Sequence, residues 1–506
     1  MNEITEMQNL QLASPTARIQ AGLIVEATPP ELRDTSVSPV VPFVIKPYLQ
    51  LGDNEAPSRF GQLELAWHTA KMAGDWRVEI RAEGDSDWLD CGAVQTRRLK
   101  IEDAESHLRH SCLLQPLAHK RLYEYRLLWQ KAVTFQSKFR SPVSEKDPYR
   151  VVVVGDIADG NAASRAIING IYNADPDLTV IPGDIVYKRG KFSEYMRNFF
   201  PAFNCDNASS DCGAPLIRSY LLTAAVGNHD VTVPPRERDL SVADEPEKKK
   251  GKKKARRSQL FAYEIFWKHP DNGPHNLSRD LLKLDGEGAK FEKIFQEFGT
   301  AVLSKTNFSY SYGNSFWLHL DGNEYMDWSE PVLRRWLANQ LADAQEFAWK
   351  FVVIHQPPFT SDVAYWQDQK NRLLCELFEA GQVDIVFSGH CHIYERTYPL
   401  SFQAVPQPDG SFLTREGMVD GRLRLDKEFD VDKNRSPRGV IYITTGAGGH
   451  ELGPEHRPDL KVRHPFTDRI DIDNFSISIL DIDGGKLKFE QLNTDGKVLD
   501  RLVIEK

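Results

Sequence analysis

RVVVVGDIADGNAASRAIINGIYNADPDLTVIPGD, residues 150–184, contains two apolar runs that each end in Gly-Asp, with helical spacing between them. VVVVGD is apolar at consecutive positions, which suits a strand covered on both faces. ASRAIINGIYNA then repeats its apolar residues at helical intervals, and LTVIPGD restores the strand pattern. The plan recurs downstream in FWLHLDGN (316–323), KFVVIHQPP (350–358) and DIVFSGHCH (384–392). Helical stretches PVLRRWLANQLADAQ and NRLLCELFEAG fall between them. Strand, polar residue, helix, strand is an α/β layout, whose sites lie outside the carboxyl ends of the strands.

The residues at those ends carry the chemistry. They are Gly155-Asp156, Gly183-Asp184 with Tyr187 three residues on, Gly227-Asn228-His229-Asp230, His355 and Gly389-His390-Cys391-His392. A Gly-Asp after a strand also serves merely to cap a following helix. Two of them joined by several histidines make a different set: carboxylate and phenolate oxygens, one neutral amide oxygen and imidazoles. Such donors suit two hard-to-borderline cations side by side, and paired metals about 3.5–4 Å apart are a common means of hydrolysing phosphate esters. Asp184 is the better bridging candidate, because its neighbour Tyr187 joins it at one ion, and a phenolate favours a hard trivalent cation such as iron(III). In an extended segment His390 and His392 project to one face, and Cys391 points away. His319 lacks comparable context and reads as structural.

Composition narrows the class. A chain of 506 residues, 41% hydrophobic and 27% charged, exceeds one simple core and reads as an ordinary globular protein of two or three domains. A net charge of −9 argues against a general nucleic-acid binder. No run of 18 apolar residues predicts a membrane span. The first twenty residues lack a basic start and an apolar stretch, so a cytoplasmic location is expected, with secretion open if a leader precedes this sequence. Six cysteines do not make a disulfide framework; Cys205 and Cys212, bracketing CDNASSDC, are a pair that an oxidising compartment would bridge.

Residues 1–42 are polar, proline-dotted and aperiodic, an irregular leader. From 43 to 143 short β-type runs (QLELAWHTA, WRVEIRAEG, HSCLLQPL, YEYRLLWQ) alternate with turn residues at sandwich spacing. Residues 148–506 form the α/β part, whose tail, from NFSISILDID onward, reads as meandering antiparallel strands with Gly-Gly and Asp-Gly turns. A basic insertion around 236–258 contains EPEKKKGKKKARR, residues 245–257. It reads as a solvated surface loop remote from the chemistry, and the absence of interleaved aromatics argues against single-strand binding.

The order GD, GDxxY, GNHD, H, GHxH resembles the calcineurin-like metallophosphoesterases. Tyr187 and the stretch from Gly389 to Thr397 are similar to the purple acid phosphatase branch, and the preceding β-module resembles that branch's fibronectin type III-like domain. The resemblance implies an α/β (α+β) sandwich of two mixed β-sheets flanked by helices, preceded by an all-β sandwich. By position it implies one metal on Asp156, Asp184, Tyr187 and His392, and a second sharing Asp184 and taking Asn228, His355 and His390. The first is then iron(III), the second iron(II), zinc or manganese. The activity implied is hydrolysis of a small phosphate monoester by a metal-bound hydroxide, with His229 stabilising the phosphoryl oxygens or protonating the leaving oxygen. The chain departs from the plant-like pattern where a histidine is expected nine or ten residues after His355: Ala364 and Tyr365 stand there. Protonation of the leaving group then rests on His229, on water or on Tyr365. Phosphodiester hydrolysis uses the same site and stays open. A non-catalytic binding module is the reading of another class; it predicts decay among the ligands, whereas all seven are present. Neither the natural ester nor the oligomeric state is legible.

Overall fold

The computed structural model describes residues 43–102, 104–231, 261–284, 291–414, 416–430, 436–452 and 463–506. The leader at 1–42 and the basic stretch Lys248–Arg257 lie outside the described residues.

Eight strands open the described chain: β1 (Phe43–Gln50), β2 (Leu63–Thr69), β3 (Trp76–Ala82), β4 (Leu89–Asp90), β5 (Gln95–Leu99), β6 (His107–Leu114), β7 (Leu122–Trp129) and β8 (Ala132–Arg140). They form two four-stranded sheets, ordered β1-β2-β6-β5 and β4-β3-β7-β8. The inward-facing alternate residues Leu63, Leu65 and Trp67 of one sheet meet Val78, Ile80, Tyr125 and Leu127 of the other, all fully buried. That is the period-2 pattern of a sandwich whose inner faces are apolar.

The remaining strands build two larger sheets. In the first, β9 (Tyr149–Val153), β10 (Leu178–Ile181) and β11 (Leu221–Ala224) run parallel, and β21 (Ser476–Asp483), β22 (Lys486–Asn493) and β23 (Val498–Glu505) extend it antiparallel, in the order β11-β10-β9-β21-β22-β23. The second has the order β12-β13-β14-β15-β19-β16-β20. Its members are β12 (Phe308–Tyr312), β13 (Ser315–Leu320), β14 (Trp349–Ile354), β15 (Ile385–Ser388), β16 (Tyr394–Thr397), β19 (Ile441–Thr445) and β20 (Thr467–Asp471). A hairpin of β17 (Leu400–Ala404) and β18 (Gly421–Leu425) stands beside it.

Alternation along the strands shows why the apolar runs are continuous. Val151 and Val153 of β9 and Phe351 and Val353 of β14 belong to the core between the sheets, whereas Val152, Val352 and Ile354 belong to the core under the helices. Both faces are covered, so neither can be polar. The helices Ala162–Asn173 and Pro331–Asp343 fall where the apolar spacing put them. Asn161 caps the first, its side chain accepting from Ser164 N–H at 2.8 Å. Truncating a residue such as Phe351 in this packing costs about 3–5 kcal/mol.

The amino-terminal sheets dock onto the α/β body through histidines that the spacing of the sequence did not single out. Buried His68 and His107 stand Nδ1 to Nε2 at 3.1 Å, and His110 lies 2.9 Å from both Thr69 and Thr96 hydroxyls. His68 packs on Phe266 and His107 on Phe192 of the α/β body, with ring centres 5.7 and 5.5 Å apart. His319, on β13, is fully buried and stacked on Phe308 at 4.5 Å, as a structural histidine would be. All six cysteines are free thiols, Cys205 and Cys212 included.

Candidate active site

Asp156 follows β9, Asp184 follows β10, Asn228 and His229 follow β11, His355 follows β14, and His390 and His392 follow β15. Adjacent carboxyl ends of both sheets therefore meet at one place, and every residue singled out for metal binding is brought to it. Asp156, Asp184 and His355, all buried, present ligand atoms within 4.8 Å of one another. Asp156, Asp184 and His390 hold left-handed backbone conformations, with φ of 58°, 49° and 69°. Non-glycine residues in that region are uncommon and cluster at functional sites.

The polar contacts fall into two groups. In one, the Tyr187 hydroxyl donates to Asp156 Oδ1 at 3.0 Å and lies 3.4 Å from His392 Nε2, which is itself 3.5 Å from Asp156 Oδ1. In the other, Asn228 Oδ1 lies 3.1 Å from His355 Nε2 and 2.9 Å from His390 Nδ1, and His355 Nε2 lies 3.3 Å from Asp184 Oδ1. The outward nitrogens are tied off. His355 Nδ1 faces the Pro182 carbonyl at 2.8 Å and His392 Nδ1 the Glu451 carbonyl at 3.0 Å. A carbonyl only accepts, so each Nδ1 carries a proton and each Nε2 is the atom turned inward, the arrangement that orients metal-ligating imidazoles.

The site pulls toward positive charge. Burial alone would raise Asp184, but the imidazoles of His355, His229 and His390 hold it well below the carboxylate range. Burial would lower His355, yet Asp184 and Asp156 push it up to about 9. His392 is raised as well, burial being outweighed by Asp156. Burial, Asp156 and Asp184 push the Tyr187 phenol well above its usual range, so only a strong local cation would make it a phenolate. Buried carboxylates, an amide oxygen, inward imidazole nitrogens and a phenol that needs a cation to ionise together fit a pair of metal ions.

The stretch from Gly389 to His392 is not extended, contrary to the alternation expected from the sequence. It bends because His390 turns its backbone N–H onto the Asp156 carboxylate, at 3.1 and 3.0 Å from the two oxygens. Cys391 still points away, fully buried beside Ile393 and Ile472. Glycine is required at this corner: a Cβ on Gly389 would collide with the Asp156 carboxylate, and one on Gly227 with Asp184.

His229 sits differently. Its Nδ1 faces the Lys188 carbonyl at 2.8 Å, leaving Nε2 toward the site, 3.9 Å from Asp184 Oδ2, with a third of the side chain exposed. Tyr365 lies against His390, ring centres 4.0 Å apart, and is partly exposed. Burial, above all, pushes its hydroxyl beyond the usual phenol range.

Two contributors escaped the sequence reading. Asp230 is buried and accepts from the backbone N–H of Gly227 at 2.8 Å and Ile185 at 3.0 Å, stapling two of the motif loops together. Burial and neighbouring Asp184 push it up to about 8. His450, after β19, stacks on Tyr187. Its signal was present, since IYITTGAGGH is another apolar run ending in a chemically active side chain.

Comparison with known proteins agrees. The family profile of the calcineurin-like phosphoesterases matches residues 149–394, and that of the iron/zinc purple acid phosphatase-like protein C-terminal region matches 439–501. An uncharacterized protein of Mycobacterium tuberculosis is 25% identical over 410 residues, covering 79% of this chain and 69% of its own. Purple acid phosphatase 13 of Arabidopsis thaliana is 20% identical over 512 residues, covering 90% of this chain and 84% of its own. The solved structure of purple acid phosphatase PPD1 from yellow lupin seeds shares the fold, with a TM-score of 0.58 at 16% identity over 91% of this chain and 74% of its own. The chain belongs to the calcineurin-like phosphoesterases, in their purple acid phosphatase-like branch, and is a metal-dependent hydrolase of phosphoric esters.

Proposed function

We propose that this site hydrolyses small phosphate monoesters with two metal ions, iron(III) on Asp156, Asp184, Tyr187 and His392, and iron(II), zinc or manganese on Asp184, Asn228, His355 and His390. The observation that carries this reading is the division of donors into two sets. Tyr187 and His392 gather on Asp156, while His355 and His390 gather on Asn228, with Asp184 against His355. When bound, such a pair of cations lowers the pKa of a coordinated water and stabilises negative charge on a phosphoryl group. Everything else falls to the chain.

Asp156, Asp184, Tyr187 and His355 are buried and form the floor, whereas Asn228, His229, His390, His392 and Tyr365 keep some exposure and form the rim. The ester therefore approaches over the rim. His229, with its Nδ1 proton committed to Lys188, offers Nε2 to a phosphoryl or leaving-group oxygen. The Lys188 carbonyl fixes the orientation of the ring, so the same nitrogen always faces the approaching ester. Cys391, between His390 and His392, is buried beside Ile393 and Ile472 rather than among the donors.

A panel of small monoesters tests the proposal, assayed on purified protein before and after chelation and after metal return. Hydrolysis that chelator removes and metal restores is the expected result. Undiminished hydrolysis by metal-stripped protein would contradict it.

A further inference from the structure

We propose that His450 is a positioning residue that fixes the Tyr187 ring, and with it the oxygen offered to iron(III); this rests on Tyr187 as a ligand. The two rings lie parallel, 3.8 Å between centres and 9° between planes. His450 Nδ1 is 3.2 Å from Asp159 Oδ2, and its backbone N–H donates to the Asp156 carbonyl at 3.0 Å. The same ring meets His392 edge-on, 4.7 Å away at 86°. His450 thus touches the Tyr187–His392 half of the site from behind while being anchored to the loop that carries Asp156.

The anchor is built from both sides. Asn161 Nδ2 donates to Asp159 Oδ2 at 3.3 Å and to the Gly449 carbonyl at 2.7 Å, joining the loop after β9 to the loop after β19. Gly449 adopts φ +128°, and a Cβ there would lie 2.6 Å from Ser164 Cα, so only glycine lets this loop come close enough. Tyr187 Oη stands between Asp156 Oδ1 and His392 Nε2. Rotation about its Cα–Cβ bond would sweep that oxygen out of the site, and a parallel ring held at van der Waals distance blocks the sweep. Such support around metal ligands carries about 10–100-fold in metal affinity.

The test compares wild type, His450→Ala and His450→Phe, the last retaining a flat ring without the Asp159 contact. In iron(III)-loaded protein the readouts are the phenolate-to-iron absorption band and the rate of iron loss to a chelator. In metal-free protein the readout is the Tyr187 to Asp156 distance from crystal structures. His450→Ala should shift or broaden the band, weaken iron(III) retention by about 10–100-fold and release Tyr187 from Asp156. His450→Phe should restore all three toward wild type. An unchanged band and an unmoved Tyr187 in His450→Ala would overturn the proposal, as would a Phe variant no better than Ala. Wild type without any band counts against Tyr187 as a ligand, while the metal-free structures still decide the role of His450.

Discussion

His229 donates its backbone N–H to Asp184 Oδ1 at 2.8 Å and holds its ring Nε2 3.9 Å from Oδ2 of the same carboxylate. The backbone bond fixes where the ring stands relative to Asp184, while the ring itself stays outside the clustered donors. Metal binding and proton delivery are thereby separable. His229→Ala should leave metal content near wild type and lower turnover by about 10²–10⁴, the usual size of a general-acid contribution. Parallel loss of metal and activity would instead place His229 among the ligands.

The glycines beside the carboxylates make a second test, because they act through space alone. Gly389→Ala forces a Cβ onto the Asp156 carboxylate without removing any donor. Metal content at the Asp156, Tyr187 and His392 position should fall while far-ultraviolet circular dichroism remains that of the folded protein. A fully loaded Gly389→Ala variant would mean that Asp156 is not held where the structure puts it.

Acid should loosen the amino-terminal sheets. Burial holds His110 down to about 4 and lowers His68 and His107 as well. The unfolded chain protonates such groups near 6.5, so below that pH the unfolded state binds more protons than the folded one and stability falls. For His110 the loss runs from about pH 6.5 down to 4 and approaches about 1.4 kcal/mol per pH unit within that window. Thermal unfolding of wild type and His110→Gln between pH 4 and 7 measures it. The variant should show a shallower fall, and identical slopes would remove His110 from the account.

Much of this was legible in the chain because burial on both faces writes continuous apolar runs, and the α/β layout puts its chemistry just past each run. Asp156, Asp184, Asn228, His229, His355, His390 and His392 all obey that rule. Asp230 was hidden because its work is to accept backbone N–H groups, which no residue pattern announces. His68, His107 and His110 are scattered over β2 and β6, and only the register of those strands brings them together. The bend at His390 was missed because it depends on a carboxylate 234 residues away in the chain. His450 obeyed the rule and was passed over behind a Gly-rich stretch.

Metal stoichiometry tests the central claim most directly. Elemental analysis of purified protein should find close to two transition-metal ions per chain, one of them iron, and Asp184→Ala, which removes the shared ligand, should depress both together. A preparation fully active with one ion or none, or an Asp184→Ala variant that keeps both ions, would contradict a binuclear centre built on Asp184.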